Sequence, residues 1–215
     1  MSRPPDVVAL LALSASLAAS TLAAPPPAID LPRPKLDNTT TLIQALKARR
    51  TGREFSTSPL PLQTLSDLLW AGFGTNRPNG RRTAPSANNW QEIDIYVVLP
   101  QGVYVFDAKA HALAGVAAGD YRAATGLDTF VADAPATFVY VADLTRMRDA
   151  EPEDLNLYPP ADAAFISQNV YLYCAAAGLT TGVRGWIDRS ALAKALALRP
   201  DQRIVLAQSV GFPRK

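Results

Sequence analysis

Three short segments of this 215-residue chain carry side chains suited to holding an anion or a flat heterocycle. The first, Arg49-Arg50-Thr51-Gly52-Arg53, sets three guanidinium groups around a hydroxyl and a glycine. A guanidinium is a planar fork of donors that matches phosphate oxygens, and Thr51 with nearby backbone amides completes a cradle. The same cations also suit the last turn of a helix, where they complement its dipole. The second segment, Arg81-Arg82-Thr83-Ala84-Pro85-Ser86-Ala87-Asn88-Asn89-Trp90-Gln91, runs almost directly into a β-branched stretch. Its small residues let backbone approach a flat ligand, and Asn89 and Gln91 offer donors and acceptors to a pyrimidine edge. An ordinary polar loop built on Asx turns reads the same way. The third, Gly178-Leu179-Thr180-Thr181-Gly182-Val183-Arg184-Gly185-Trp186, exposes backbone N–H groups at a strand end.

Other chemistries are poorly supplied. Cys174 is the single cysteine, which excludes an intrachain disulfide and a multi-thiolate metal site. His111 is the single histidine; it lies in an Ala-rich stretch without a nucleophile motif and reads as a solvent-facing loop residue. The formal charge of +2 is spread without a block of five or six like charges, so a nucleic-acid or polybasic membrane surface has little support. Cys174 itself, beside Tyr171, Leu172 and Tyr173, reads as a small buried hydrophobe. Trp70 after Leu68-Leu69 reads as core, and Asp133 before Ala134-Pro135 as a turn former.

The elements that must position these segments follow from periodicity. Asp37-Asn38-Thr39 supplies N-cap residues before Leu42, Ile43 and Leu46 at helical spacing. Pro59-Leu60-Pro61 opens a second helix with Leu62, Leu65, Leu68 and Leu69 on one face, ending around Gly72 and Gly74. Ile93 to Leu99 is a strand, and Pro100-Gln101-Gly102 turns it into Val103 to Phe106 as a hairpin. Residues 108–134 are ambiguous between short helices and loops. Thr137 to Ala142 is a strand, and 161–178 the longest helix, closed by Gly178 as a C′ glycine. Tyr158 with Pro159-Pro160 is placed to overhang a site. Thr180 to Val183, Arg189 to Leu198 and Ile204 to Val210 supply a strand, a helix and a last strand. Helices mix with mainly antiparallel strands without βαβ alternation, so the class is α+β. Hydrophobic residues at 48% and charged residues at 19% suit one packed domain.

The N-terminus forms a separate unit. An apolar run from Val7 to Ala19, then Thr21 and Ala23 at the small-residue positions, fits an export signal cleaved after Ala23. Residues 1–23 are thus expected as a signal peptide, 24–36 as a Pro-rich linker and 37–215 as the folded domain. The expected location is periplasmic or secreted, or cytoplasmic if the segment does not act as a signal.

In order along the chain, Arg-Arg-Thr-Gly-Arg, Arg-Thr-Ala-Pro-Ser-Ala, Gln168-Asn169-Val170-Tyr171-Leu172 and Gly-Leu-Thr-Thr-Gly-Val-Arg-Gly resemble the nitroreductase family. The likeness runs from about Leu42 to Pro213 and is nearest to the branch related to SagB-type dehydrogenases. It implies a central antiparallel sheet flanked by helices, an interleaved homodimer, and FMN bound at the dimer interface. It places Arg49, Arg50, Thr51 and Arg53 at the FMN phosphate. Pro85, Ser86, Ala87, Asn89 and Gln91 would reach the flavin from the partner subunit. Gly182, Val183, Arg184 and Gly185 match the turn beside flavin N5, where the family often has Glu-Gly; Arg184 would then place a cation near the flavin. Trp186 would shield a flavin face or cover a sheet edge. Longer relatives place further basic residues near Arg214 and Lys215. The implied activity is two-electron transfer to a small acceptor such as a nitroaromatic, quinone or activated alkene. A SagB-like azoline dehydrogenase and a non-catalytic flavin carrier are the rival readings. No protein side chain is required as catalytic nucleophile, and no metal is implied.

Overall fold

The computed structural model describes residues 24–35 and 39–215, so the expected signal peptide lies outside the described residues. Among these residues, seven strands form one sheet: β1 Ile29–Asp30, β2 Ile93–Leu99, β3 Gly102–Asp107, β4 Ala112–Ala118, β5 Ala136–Asp143, β6 Thr180–Arg184 and β7 Gln202–Gly211. Their order is β1-β4-β3-β2-β5-β7-β6, and every neighbouring pair is antiparallel. Among the described residues, four α-helices accompany it: α1 Leu42–Ala48, α2 Leu62–Phe73, α3 Asp154–Ala176 and α4 Arg189–Ala195. The class is α+β, as expected.

The central strands are buried on both faces. In β2, Ile93, Ile95, Val97 and Leu99 enter a core with Leu65, Leu68 and Leu69 of α2 and Ile166 and Val170 of α3. The alternate residues Tyr96 and Val98 enter a second core with Leu192 and Leu196 at α4. Phe138 and Tyr140 divide from Val139 and Val141 of β5 in the same way. A strand covered on both sides reads as a continuous apolar run, which is why β2 and β5 were legible.

Several expectations are corrected. Residues 24–35 are no free linker: Ile29 and Asp30 pair with Leu113 and Ala112 at the sheet edge, and Leu31 is buried. The Ala-rich stretch hides β4, whose small side chains lack the β-branched signature. Gly115 is needed there, since a Cβ would collide with the Pro26 backbone. The first helix is capped at Thr41, which accepts from the Gln44 N–H while Gln44 Oε1 accepts from the Thr41 N–H. Its apolar residues face outward: Leu42, Ile43 and Leu46 are 63%, 60% and 48% exposed, and Ala45 is the buried one. The long helix starts at Asp154, so Pro159 and Pro160 lie inside it. Pro159 has no N–H for the Leu155 carbonyl, and Arg203 Nη1 donates to that carbonyl instead at 3.2 Å. Gly178 closes α3 at φ 68°, with the Leu179 N–H returning to the Cys174 carbonyl at 2.9 Å.

Candidate functional site

The first segment leaves α1 and turns across the end of β6. Gly52 N–H donates to the Thr181 carbonyl at 2.9 Å, which fastens the turn to the free edge of the strand. The approach admits no side chain: a Cβ on Gly52 would fall 1.9 Å from Thr180 Oγ1, and one on Gly182 would fall 2.8 Å from the Gly52 carbonyl. Tyr171 of α3 locks both strands of this junction. Its phenolic oxygen accepts the Val183 N–H at 2.9 Å and lies 3.0 Å from Thr51 Oγ1. That oxygen accepts from Val183, and either hydroxyl of the Tyr171–Thr51 pair can be the donor to the other.

Beside this junction lies a cleft of about 450 Å³, lined among others by Arg50, Thr51, Arg53, Tyr171, Thr180 and Arg214. Among the described residues, neither Arg50 nor Arg53 has a carboxylate partner. Arg214 is anchored through Asp133 at 2.9 Å and the Phe55 carbonyl at 3.2 Å. Arg49 stands apart, with its guanidinium 5.3 Å from the centre of the Tyr171 ring. A cleft with two guanidinium groups that no carboxylate pairs, and a hydroxyl beside close-packed backbone, is suited to a phosphate-like anion. Thr180 and Tyr171 line this cleft without having been named for it, and Arg214, one of the two basic residues left open at the end of the chain, lines it as well. Tyr171 lay in a quoted motif, but its role depends on a tertiary hydrogen bond.

The second segment lines a separate cleft of about 530 Å³ with Arg77, Arg81, Arg82, Pro85, Ser86, Asn89 and Gln91. Asn88, Asn89 and Gln91 all have positive φ (49°, 56° and 49°), a costly backbone for residues with a Cβ. Internal bonds hold it so. Gln91 Oε1 accepts from Arg82 Nε at 2.8 Å, and Gln91 Nε2 donates to Asn89 Oδ1 at 3.1 Å and to the Gly80 carbonyl at 3.2 Å. Asn89 and Gln91 therefore spend on each other part of the capacity expected for a heterocycle edge. Ser86 Oγ accepts the Gln91 N–H at 2.8 Å, and Asp162 of α3 accepts the Ala87 N–H at 3.0 Å.

The third segment divides. Gly182 packs beneath Gly52, and the Val183 N–H is already given to Tyr171. Arg184 departs from expectation. It is 8% exposed, donates to the Thr125 carbonyl, Thr125 Oγ1 and Ser209 Oγ at 3.2, 2.8 and 2.9 Å, and lies over the Phe130 ring. Burial pushes its guanidinium down to about 10, with Asp128 opposing. Its charge pins the 125–130 segment to the sheet instead of entering the cleft. Gly185 accepts from Arg189 Nη1 at 3.2 Å, and Trp186 is exposed.

His111 is also not the loose residue expected. Its Nε2 lies 2.7 Å from Ser66 Oγ and 3.2 Å from the Pro32 carbonyl, so it ties the N-terminal segment to α2. Tyr158 packs edge-on against Trp90 at 5.6 Å. Cys174 is buried, as expected, and burial holds its thiol well above the ordinary range.

The chain matches the model of the nitroreductase family over residues 46–212. A provisionally named nitroreductase of Methanocaldococcus jannaschii is 30% identical over 150 residues, which cover 65% of this chain and 76% of the relative. The crystal structure of a provisionally named nitroreductase of Ralstonia eutropha superposes with a TM-score of 0.84 at 41% identity, covering 87% of this chain and 90% of that one. Another from Desulfovibrio desulfuricans, solved in complex with FMN, superposes at 0.61 with 22% identity over 82% and 88% of the two chains. The latter likeness is one of fold.

Proposed function

This chain belongs to the nitroreductase family, and from that membership we propose that it is an FMN-dependent oxidoreductase. In this reading it works as a homodimer and passes two electrons, as a hydride, to a nitroaromatic, quinone or activated alkene. The observation that carries the cofactor assignment is the cleft beside β6, which Arg50, Arg53 and Arg214 line together with Thr51. That donor set fits a phosphate monoester: planar forks take two oxygens each, and Thr51 supplies a further donor. The Desulfovibrio protein, of the same fold, was solved with FMN. When bound, FMN supplies the two-electron storage and hydride exchange.

The chain's own part is positional. Arg50, Arg53 and Thr51 hold the phosphate, Tyr171 fixes the Thr51 turn against β6, and Arg214 adds charge at the cleft wall. The Ser86–Gln91 loop presents a rigid rim that a partner subunit would bring over the cofactor. Support for pairing of subunits comes from the apolar surface left open: Leu42, Ile43 and Leu46 on α1, and Phe165, 49% exposed, on the adjoining α3. Further along α3, Gln168 is exposed and Asn169 and Leu172 are half-buried. The finer placement near SagB-type dehydrogenases rests on the Arg-Arg-Thr-Gly-Arg and Arg-Thr-Ala-Pro-Ser-Ala motifs. Export, with cleavage after Ala23, is a further part of the proposal and rests on the apolar run from Val7 to Ala19.

Purification from the native source, an absorbance spectrum, and mass spectrometry of the released cofactor test the reading together. A yellow dimer releasing FMN, beginning at Ala24, and turning over with a panel of donors and acceptors is the expected result. A colourless chain that takes up no FMN contradicts the cofactor assignment, and an intact Met1 contradicts export.

A further inference from the structure

Glu92 sits between the Ser86–Gln91 loop and β2 and is wholly buried. Its Oε2 accepts from Ser86 Oγ at 3.2 Å, while Oε1 has no hydrogen-bond partner. The titratable group facing it is Asp162 of α3, also buried and already the acceptor of the Ala87 N–H. Asp143, whose N–H donates to the Glu92 carbonyl at 2.8 Å, turns its own carboxylate to Arg199 at 2.9 Å. Among the described residues no cation pairs with either Glu92 or Asp162. Two carboxylates have no donor between them, so a buried neighbouring pair is stable only when one carries a proton. Asp162 accepts a backbone N–H at Ala87, whereas Glu92 Oε1 is buried with no donor, so the proton is placed on Glu92. Ser86 is the link outward, because it contacts Glu92 on one side and lines the Arg82–Gln91 cleft on the other.

We propose that Glu92 and Asp162 hold one proton beneath the Ser86–Ala87 turn, and that Glu92 passes it through the Ser86 hydroxyl to an electron acceptor in the adjoining cleft. The delivery step rests on the proposed flavin oxidoreductase function; the shared proton does not. A quinone becomes a hydroquinone by gaining a hydride, drawn from the reduced cofactor, and one proton. For delivery the Ser86 hydroxyl turns its proton from Glu92 Oε2 to the quinone and accepts from the Glu92 O–H instead; the Ser86 O–H bond then breaks as the new O–H bond of the hydroquinone forms. The Glu92 O–H bond breaks as Ser86 is restored, and the Glu92 carboxylate regains its proton from water in the cleft. Ser86 is the catalytic residue of this relay and Glu92 a positioning residue that acts through it. Burial first, and then Asp162, raises the Glu92 carboxyl to about 7, so the pair is charged for delivery near neutrality.

The test mixes the full chain, loaded with FMN and reduced with dithionite without oxygen, with either menadione or ferricyanide. Menadione takes a proton with its electrons, whereas ferricyanide takes an electron alone. The wild-type rate with menadione should fall as pH rises through neutrality. Glu92→Gln keeps the shape and loses the acid; it should slow menadione on the order of a hundredfold and flatten that profile, with ferricyanide unchanged. Asp162→Asn removes the like charge and should move the fall to lower pH. Equal slowing with both acceptors, or an unaltered profile in Glu92→Gln, overturns the relay. Infrared titration of the cofactor-free chain supplies a readout independent of activity. A protonated-carboxyl band should disappear near neutrality in the wild type and be absent from Glu92→Gln. No such band overturns the shared proton. A chain that shows the band but takes no FMN overturns the delivery step together with the proposed function.

Discussion

The Tyr171 hydroxyl accepts the Val183 N–H at 2.9 Å and lies 3.0 Å from Thr51 Oγ1, so one phenol on α3 joins two segments of the candidate site. Tyr171→Phe removes both bonds and retains the ring beneath Arg49. A hydrogen bond of this kind contributes about 1 kcal/mol net. With two such bonds gone, the variant should lose roughly 2 kcal/mol of stability and bind FMN about fivefold more weakly, read by denaturant unfolding and by fluorescence titration. Unchanged FMN affinity would show that the junction does not shape the cleft.

Gly52→Ala places a methyl group where Thr180 Oγ1 stands. The turn must then lift from β6, at a cost of roughly 1–3 kcal/mol, within the range for overpacked sites. In a Thr180→Ala background the same substitution should cost less, because the colliding oxygen is gone. Thermal melts of the four chains measure the coupling, and strictly additive losses would contradict the close approach.

Arg184 should prove structural. Arg184→Ala takes the donor from the Thr125 carbonyl, removes the bonds to Thr125 Oγ1 and Ser209 Oγ, and leaves a void over Phe130, a loss of roughly 2–4 kcal/mol. The bound flavin should keep its reduction potential and affinity in whatever fraction remains folded. A potential that moves with little loss of stability would place the cation at the flavin after all.

The Glu92 carboxyl gives a pH dependence whose sign is fixed. Its folded value, about 7, lies above the ordinary 4.5, so the unfolded chain releases this proton first. Stability from this group is complete below about pH 4.5, declines as pH rises toward 7, and is level above it, a total on the order of 3 kcal/mol. Glu92→Gln should flatten that part of the stability profile. A wild-type melting temperature that rises across this window while that of the variant stays flat would contradict the buried acid.

The sequence was most readable where local signals agreed with tertiary need. Ile93–Leu99 and Thr137–Ala142 are β-branched and aromatic, and both faces of each strand found a core. Gly178 lay where a positive φ was required. Alanine concealed β4, because Ala112–Ala118 pairs by backbone and carries little side-chain information. Leu42, Ile43 and Leu46 show a second limit: helical spacing reveals an apolar stripe without saying whether this chain or another covers it. In the candidate site, the Arg49–Arg53 and Ser86–Gln91 segments could be named from residue type. The burial of Arg184 and the meeting of Glu92 with Asp162 could not, since each depends on a partner distant in sequence.

Arg50 and Arg53 carry the central claim, that the cleft beside β6 holds the phosphate of FMN. Charge-assisted bonds to phosphate contribute roughly 1.5–3 kcal/mol each, so every lost guanidinium should weaken binding by one to two orders of magnitude. The direct measurement is calorimetric titration of FMN and of riboflavin, which lacks the phosphate, into the wild type, Arg50→Ala and Arg53→Ala. FMN should bind the wild type far more tightly than riboflavin, and each substitution should erode that preference while leaving riboflavin affinity unchanged. Equal affinity of the wild type for both ligands, or an FMN preference that survives both substitutions, would contradict it.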